Sequence, residues 1–256
     1  MKPTVCVTIL TWNEEQNLPQ ALRSVAGWAS EIVVVDSGST DRTIEIAEAA
    51  GCRVYHHKFE GYATQRNWAL TECSILSDWV LFLDADEWLP DSLKAEIDRA
   101  IHGGSRYDGY FLMWRFYWMG KWIRRGYYPT PILRLFRRGK ARCEDREINE
   151  HIVVDGPTAT LKEDFIHEDL KGVGDWIDKH NRYSEREARE LLKARDVPEG
   201  YLRADPFTAG PSRNRWLRYR VYNRFPPLVR PMLNFVYRFV LRGGFLDGKE
   251  IGRAHV

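Results

Sequence analysis

Val80-Leu-Phe-Leu-Asp84-Ala-Asp86-Glu87-Trp88 is the stretch on which the fold turns. Its apolar residues read as a buried strand, and two carboxylates one residue apart follow at the C-terminal end. On a strand, residues i and i+2 point to the same side, so Asp84 and Asp86 can converge on one hard cation. Mg²⁺ and Mn²⁺ take oxygen ligands and are commonly shared between one or two carboxylates and a substrate phosphate. The plainer reading is a strand that ends in a polar turn, which aspartate also favours. Context raises the metal reading.

The same letters suit the magnesium strand of a P-loop ATPase, but the phosphate-cradling G-x-x-x-x-G-K-[ST] run is absent. No G-x-G-x-x-G follows the first strand either, which removes the phosphate loop of a dinucleotide fold.

Working outward, the first half alternates. Predicted strands at 5–10, 32–35, 53–56 and 79–83 are separated by helices through Leu18, Leu22 and Val25, from Ser39 or Thr40 as cap to Ala50, and over 65–73. Gly51 occupies the place of a helix-terminating glycine, and Pro90 starts a further helix ending near Ile101. Such alternation implies a parallel sheet with helices on both faces. Ligands of such sheets bind beyond the carboxyl ends of the strands. Three polar clusters meet at that edge: Thr11–Glu14, Asp36–Asp41 and Asp84–Glu87.

The second half differs. Residues 107–128 hold ten aromatics in 22 positions, with Tyr110, Leu112, Trp114, Phe116 and Trp118 alternating on one strand face. That face reads either as core or as an aromatic platform for a sugar or lipid acceptor. Strands at 131–137 and 152–154 flank an acidic run, Glu144-Asp-Arg-Glu147-Ile-Asn-Glu150-His151, and a helix with a charged outer face is predicted over 176–194.

The 256 residues suffice for one large α/β domain, or one with an appendage. Cys6, Cys52, Cys73 and Cys143 show no C-x-x-C spacing and read as reduced core residues of a cytoplasmic protein. Met1-Lys-Pro-Thr runs straight into a strand, so no signal peptide is expected, and no run of 18 apolar residues predicts a spanning helix. Net charge is +2, but eight arginines face Asp205 alone over residues 205–242, a local +7 that leaves −5 elsewhere. Pro226, Pro227 and Pro231 predict two short helices there. Arg230, Asn234, Arg238 and Arg242 form a four-residue-spaced polar stripe among apolar residues, the pattern of a helix lying in a membrane interface. A helix docked on its own body with arginines toward solvent is the competing reading. Nucleic-acid binding is disfavoured because no reading module accompanies the basic segment.

With these pieces placed, the chain resembles the inverting family 2 glycosyltransferases of the GT-A fold, and among them the bacterial lipopolysaccharide-core β-glucosyltransferase group. The matching runs are Thr11-x-Asn13-Glu14, Val35-Asp36-Ser-Gly-Ser-Thr-Asp41, Gln65-Arg66-Asn67-Trp-Ala and Asp84-Ala-Asp86-Glu87. Later runs are Glu150-His151, Lys179-His-Asn-Arg-Tyr183-Ser and Gly244-Phe-Leu-Asp-Gly248. The resemblance implies a GT-A fold: a Rossmann-like, mostly parallel sheet with helices on both faces, plus a C-terminal helical, amphipathic, basic extension. It implies a transferase domain over 1–204, with a nucleotide-sugar half (1–104) and an acceptor and base half (105–204), and a membrane-interfacial extension over 205–256.

By the same resemblance Thr11, Asn13 and Glu14 would line the nucleotide pocket, and Asp36 would accept a hydrogen bond from the base, usually uracil. Arg66 and Asn67 would approach the diphosphate and sugar. Asp84 and Ala85 would meet the donor, Asp84 and Asp86 would hold Mn²⁺ or Mg²⁺ with Asp86 the direct ligand, and His167 is a candidate late ligand or a strand-end residue. Inversion needs a carboxylate to take the acceptor proton. Glu150 is the best positional match, Glu147 the runner-up, and Asp145 lies close; Asn149 stands where the resemblance leads one to expect His. His151 reads as structural or acceptor-side. The implied enzyme is a metal-dependent hexosyltransferase on the inner face of the cytoplasmic membrane. It would use a UDP-hexose, an acceptor such as lipopolysaccharide core, and an anionic membrane surface met by 205–242. The rivals are a polyprenyl-phosphate glycosyltransferase, whose acceptor brings its own ionised oxygen, a sugar-1-phosphate nucleotidyltransferase, and a non-catalytic lipid- or glycan-binding protein.

Overall fold

The computed structural model describes residues 3–146, 150–193, 205–207, 211–226 and 228–248. Its contacts divide the chain into two units, Met1–Met113 with Ile132–Tyr201, and Trp114–Pro131 with Leu202–Val256.

The first unit opens with β1 (Val5–Thr11), α1 (Leu18–Val25), β2 (Glu31–Asp36), α2 (Thr43–Ala49), β3 (Arg53–His56), α3 (Tyr62–Glu72) and β4 (Trp79–Asp84). Then come β5 (Glu87–Trp88), α4 (Asp91–Ile101) and β6 (Gly109–Trp118), which runs into the second unit; β7 (Lys121–Trp122) belongs to that unit. After it follow β8 (Pro131–Arg137), β9 (Ala141–Cys143), β10 (Ile152–Val154), β11 (Thr158–His167) and α5 (Val173–Lys193).

β1 pairs in parallel with β2 and β4, and β2 with β3. β8 then joins β4 antiparallel, and the sheet runs β3-β2-β1-β4-β8-β6-β11-β5. The sheet is therefore parallel in its first half and mixed beyond. Val5, Cys6, Val7, Thr8 and Ile9 are all buried, so both parities of β1 are covered. Near-continuous apolar strands predict that double cover. On one face Ala69 of α3 and Cys73, just past its end, pack with Cys6, Val33, Val35, Val80, Phe82 and Phe136.

Two details correct the sequence reading. Helix α2 begins at Thr43 with Arg42, not Ser39 or Thr40, in the cap position, and Asp41 Oδ1 accepts the Thr43 N–H at 3.0 Å. Ser39 is spent elsewhere, donating to Asp36 Oδ2 at 2.5 Å and accepting the Asn13 N–H at 2.8 Å. Strand β11, unforeseen except as an end at His167, pairs antiparallel with β5 through Ile166↔Trp88 and His167↔Glu87. That pairing sets His167 beside the acidic turn. The remaining boundaries hold within a few residues, and Gly51 (φ +74°) ends α2 as expected. The four cysteines are free thiols, three of them buried.

In the second unit, β6 and β7 form a hairpin (Tyr117↔Trp122) turned by Met119 and Gly120, both at positive φ. Trp114 and Phe116, two apart on β6, stack at 5.1 Å and are half-buried. Arg115 and Arg124 both lie over the Trp122 ring, at 4.4 and 4.5 Å. The C-terminal part forms α6 (Pro211–Arg220), a 3₁₀ turn (Tyr222–Arg224), α7 (Val229–Phe235), a π-helical turn (Val236–Leu241) and a last 3₁₀ turn (Gly244–Asp247). Two main helical segments result, as the prolines predict, although Pro231 sits within the start of α7. Part of their polar stripe faces inward, unlike a helix docked with its arginines toward solvent. Arg238 lies over Tyr127 at 4.1 Å and Arg230 donates to the carbonyls of Asn223 and Phe225, while Leu228, Met232 and Leu241 are 69–88% exposed. No helix of the described residues is long and apolar enough to cross a membrane.

Candidate active site

The carboxyl ends of β1, β2 and β4 carry the three polar clusters, and their loops are knitted together. Asp36, fully buried, accepts from Thr11 Oγ1 (2.9 Å), from the N–H groups of Gly38 (2.9 Å) and Ser39 (2.8 Å), and from Ser39 Oγ. Four donors fill the acceptor sites of one carboxylate. A nucleobase N–H reaching Asp36 would have to displace one of them. Asn13 adopts a left-handed backbone (φ 52°), which asparagine tolerates, and its Oδ1 accepts the Thr40 N–H at 2.8 Å. Glu14 receives Lys171 Nζ at 2.7 Å and Asn17 Nδ2 at 2.8 Å. Burial and the nearby Asp86 charge raise its carboxyl, against the pull of Lys171.

The acidic turn after β4 is wired to cations. Arg66 of α3 donates through Nη2 to Asp84 Oδ1 (3.0 Å), and through Nη1 to Glu150. Arg134 of β8 places Nη2 at 2.8 Å from Asp84 Oδ2 and 2.6 Å from Glu87 Oε1. Burial works to raise the Asp84 carboxyl, but Arg134 and Arg66 outweigh it and hold it far below the usual range. Glu87 goes the other way: burial pushes it up to about 7 despite Arg134. Among the described residues neither Arg66 Nε nor Arg134 Nε has an acceptor, although both are buried.

Asp86 faces a different set. His167 Nε2 lies 3.3 Å and Lys179 Nζ 3.2 Å from its Oδ2, and together they overcome burial to keep its carboxyl well below the usual range. Burial lowers the imidazole of His167, but Asp86 more than compensates, so its pKa is raised. Ala85, between the two aspartates, is buried.

Of the residues expected at this edge, Glu150, Arg66, Asp84, Asp86 and His167 converge. The Asn67 amide is engaged with backbone: it donates to Cys143 O (2.9 Å) and accepts the Cys143 N–H (2.8 Å), clasping β9. Since β9 and β10 pair as Cys143↔Ile152, that clasp anchors the loop that carries Glu150. Glu147 lies outside the described residues. His151 Nδ1 contacts Glu144 at 3.2 Å. Arg134 and Lys179 were unforeseen as site residues. The signal for Arg134 was an arginine inside an apolar strand, which demands a buried anion.

No group of three or more His, Cys, Asp or Glu among the described residues is arranged to hold a metal by itself. Asp86, with His167 3.3 Å from its Oδ2, could supply a carboxylate ligand to an ion whose other ligands come from a substrate diphosphate, as carboxylates commonly share Mg²⁺ with phosphates.

The sequence profile described as glycosyl transferase family 2 matches residues 6–166. An uncharacterized glycosyltransferase of Rickettsia typhi is 30% identical over 197 residues, 72% of this chain and 67% of that protein. The lipopolysaccharide core biosynthesis glycosyltransferase LpsC of Rhizobium meliloti is 31% identical over 205 residues, 75% of this chain and 73% of that one. Among solved structures, glucosyl-3-phosphoglycerate synthase of Mycobacterium tuberculosis, crystallised with Mn²⁺, UDP and phosphoglyceric acid, aligns with TM-score 0.50 and 16% identity. That alignment covers 77% of this chain and 80% of that one, and it shows the shared GT-A type of fold.

Proposed function

The chain belongs to glycosyl transferase family 2 and is a glycosyltransferase; on that premise we propose that it moves a hexose from a UDP-sugar to a hydroxyl of a lipid-linked glycan, with inversion. One observation carries the reading: Arg66 joins the donor-side Asp84 to Glu150, bringing a candidate base to the acidic edge of the sheet. In the displacement, the acceptor oxygen attacks the anomeric carbon on the face opposite the leaving group. Glu150 takes the hydroxyl proton, and the nucleoside diphosphate departs with the bonding electron pair. Asp86 and His167 would hold a divalent ion, Mn²⁺ or Mg²⁺, which when bound offsets the charge developing on the diphosphate. Arg66 and Arg134 bring buried N–H groups for which a phosphate oxygen is a fitting acceptor. Thr11, Asn13, Glu14 and Asp36 shape the floor of the nucleotide pocket, while Asn67 positions the loop of the base.

The acceptor class rests on likeness to LpsC and on the apolar residues exposed along 228–246, which suit a membrane interface. We assign residues 1–204 to the transferase and 205–256 to that interfacial role, at the cytoplasmic face of the membrane.

Calorimetry with UDP, GDP, ADP and CDP, each with Mn²⁺, Mg²⁺ or EDTA, tests the donor. UDP binding that disappears in EDTA is expected, and no nucleotide binding at all would sink the assignment. Glu150→Gln should bind UDP normally and lose about 10²–10⁴-fold in kcat. Full activity in that variant would instead favour an acceptor that carries its own ionised oxygen, such as a polyprenyl phosphate.

A further inference from the structure

Lys179 stands on α5 with its ammonium 3.2 Å from Asp86 Oδ2 and 3.8 Å from Asp169 Oδ2. One turn further along the same face, the Tyr183 hydroxyl meets the Tyr62 hydroxyl of α3 at 2.9 Å. Asp169 is held in turn, its Oδ1 accepting from Asn17 Nδ2 (2.9 Å) and the Lys171 N–H (3.0 Å). The ammonium is thus tethered at the site from several sides.

Asp84 already has two guanidinium partners, so an incoming cation would find its carboxylate at Asp86, where Lys179 sits. A divalent ion and an ammonium sharing Oδ2 repel each other strongly at contact distance. Lys179 is not driven out of the site by that repulsion, because α5 stays fixed by Tyr183, and its side chain is 32% exposed. The nearest new anion would be the donor's diphosphate, entering with the metal. An ammonium with three donors binds phosphate as a point charge.

We propose that Lys179 is an exchangeable counter-ion: it neutralises Asp86 before the donor arrives, and passes to the diphosphate oxygens when a metal and nucleoside diphosphate take Asp86 over. This rests on the reading of Asp86 as a metal ligand. Its consequence is that metal and nucleotide bind as a pair. Metal alone must displace the ammonium and leave it only the more distant Asp169, whereas metal with diphosphate supplies the replacement.

The test measures Mn²⁺ binding alone, by the paramagnetic signal of free Mn²⁺, and UDP binding at saturating Mn²⁺, by calorimetry at one pH. Wild type, Lys179→Met, Lys179→Gln and Lys179→Arg are compared, with melting curves to establish folding. Removing the charge should tighten Mn²⁺ binding about tenfold while weakening UDP binding about tenfold, a divergence reflecting the linkage between the two ligands. Lys179→Arg should stay near wild type. A residue that merely stabilised the fold would not tighten metal binding when removed. Should the Met variant unfold, the Gln variant carries the same expectation. Unchanged Mn²⁺ and UDP affinities in the neutral variants overturn the inference alone. Wild-type protein that binds neither Mn²⁺ nor UDP overturns the donor site itself.

Discussion

Arg134 lies in the middle of the apolar strand Pro-Ile-Leu-Arg-Leu-Phe-Arg and is 7% exposed, yet one of its terminal nitrogens serves both Asp84 and Glu87. Removing one partner of a buried ion pair leaves the other uncompensated, typically at about 3–5 kcal/mol. Arg134→Met should therefore cost about 3 kcal/mol, the low end of that range, because Glu87 can escape by taking a proton. The direction with pH follows from burial, which already raises Glu87 to about 7 in the folded protein. A carboxyl raised above its unfolded value contributes stability that is lost as pH rises through the folded value. Losing Arg134 raises it further, so the deficit should be smaller at pH 5 than at pH 8. Denaturant melts in EDTA at the two pH values check this, and an equal deficit at both would mean Glu87 does not respond.

At the scale of elements, Asn67 is the fastening between α3 and β9. Its amide matches both backbone groups of Cys143, and Asn67→Ala leaves those groups to find water in a half-buried site. The expected loss is about 1–3 kcal/mol. Because β9 leads into the loop of Glu150, kcat should fall while the donor KM stays near wild type. A raised donor KM with unchanged kcat would return Asn67 to the donor pocket. Elements of the first half were legible because their periodicities are clean: alternating or continuous apolar runs of four to seven residues, each followed by a polar loop. β11 was not, since Thr-Ala-Thr-Leu-Lys-Glu-Asp-Phe-Ile-His mixes charge into a strand whose buried residues are Leu161, Asp164 and Phe165. β5 is two residues long and exists only because β11 pairs with it. The acidic pair, Arg66 and Glu150 could be named from local motifs, but their cationic partners could not. Arg134 and Lys179 reach the acidic turn from 50 and 93 residues away, and a charged helix face looks the same in sequence whether it meets water or a carboxylate.

For the molecule as a whole, the uneven charge of the chain and the exposed apolar side chains of its C-terminal part concern the same partner. Arg230, Arg238 and Arg242 are engaged within their own unit, so under the interfacial proposal attraction to anionic lipid would fall to the exposed Arg213, Arg220 and Arg224. Met232 and Leu241, 69% and 74% exposed, are the side chains that would enter the headgroup boundary under the interfacial proposal. Each fully buried apolar side chain of this size contributes about 1.5–3 kcal/mol. Met232→Asp with Leu241→Asp should thus reduce liposome binding at least about tenfold, in zwitterionic as well as anionic vesicles, because each loses that burial. Co-sedimentation measures it, and undiminished binding by the double variant would remove the membrane role from this segment. A last consequence follows from the unbroken alternation Glu150, Arg66, Asp84, Arg134, Glu87, in which every inner charge is shared by two neighbours. Substitutions along such a row are not additive, since each one strands charges that the next relieves. Single replacements will overstate what every member does, and Arg66→Met combined with Glu150→Gln should be milder than the two separate losses suggest. In evolutionary terms the row is epistatic, so its members are expected to change together or not at all.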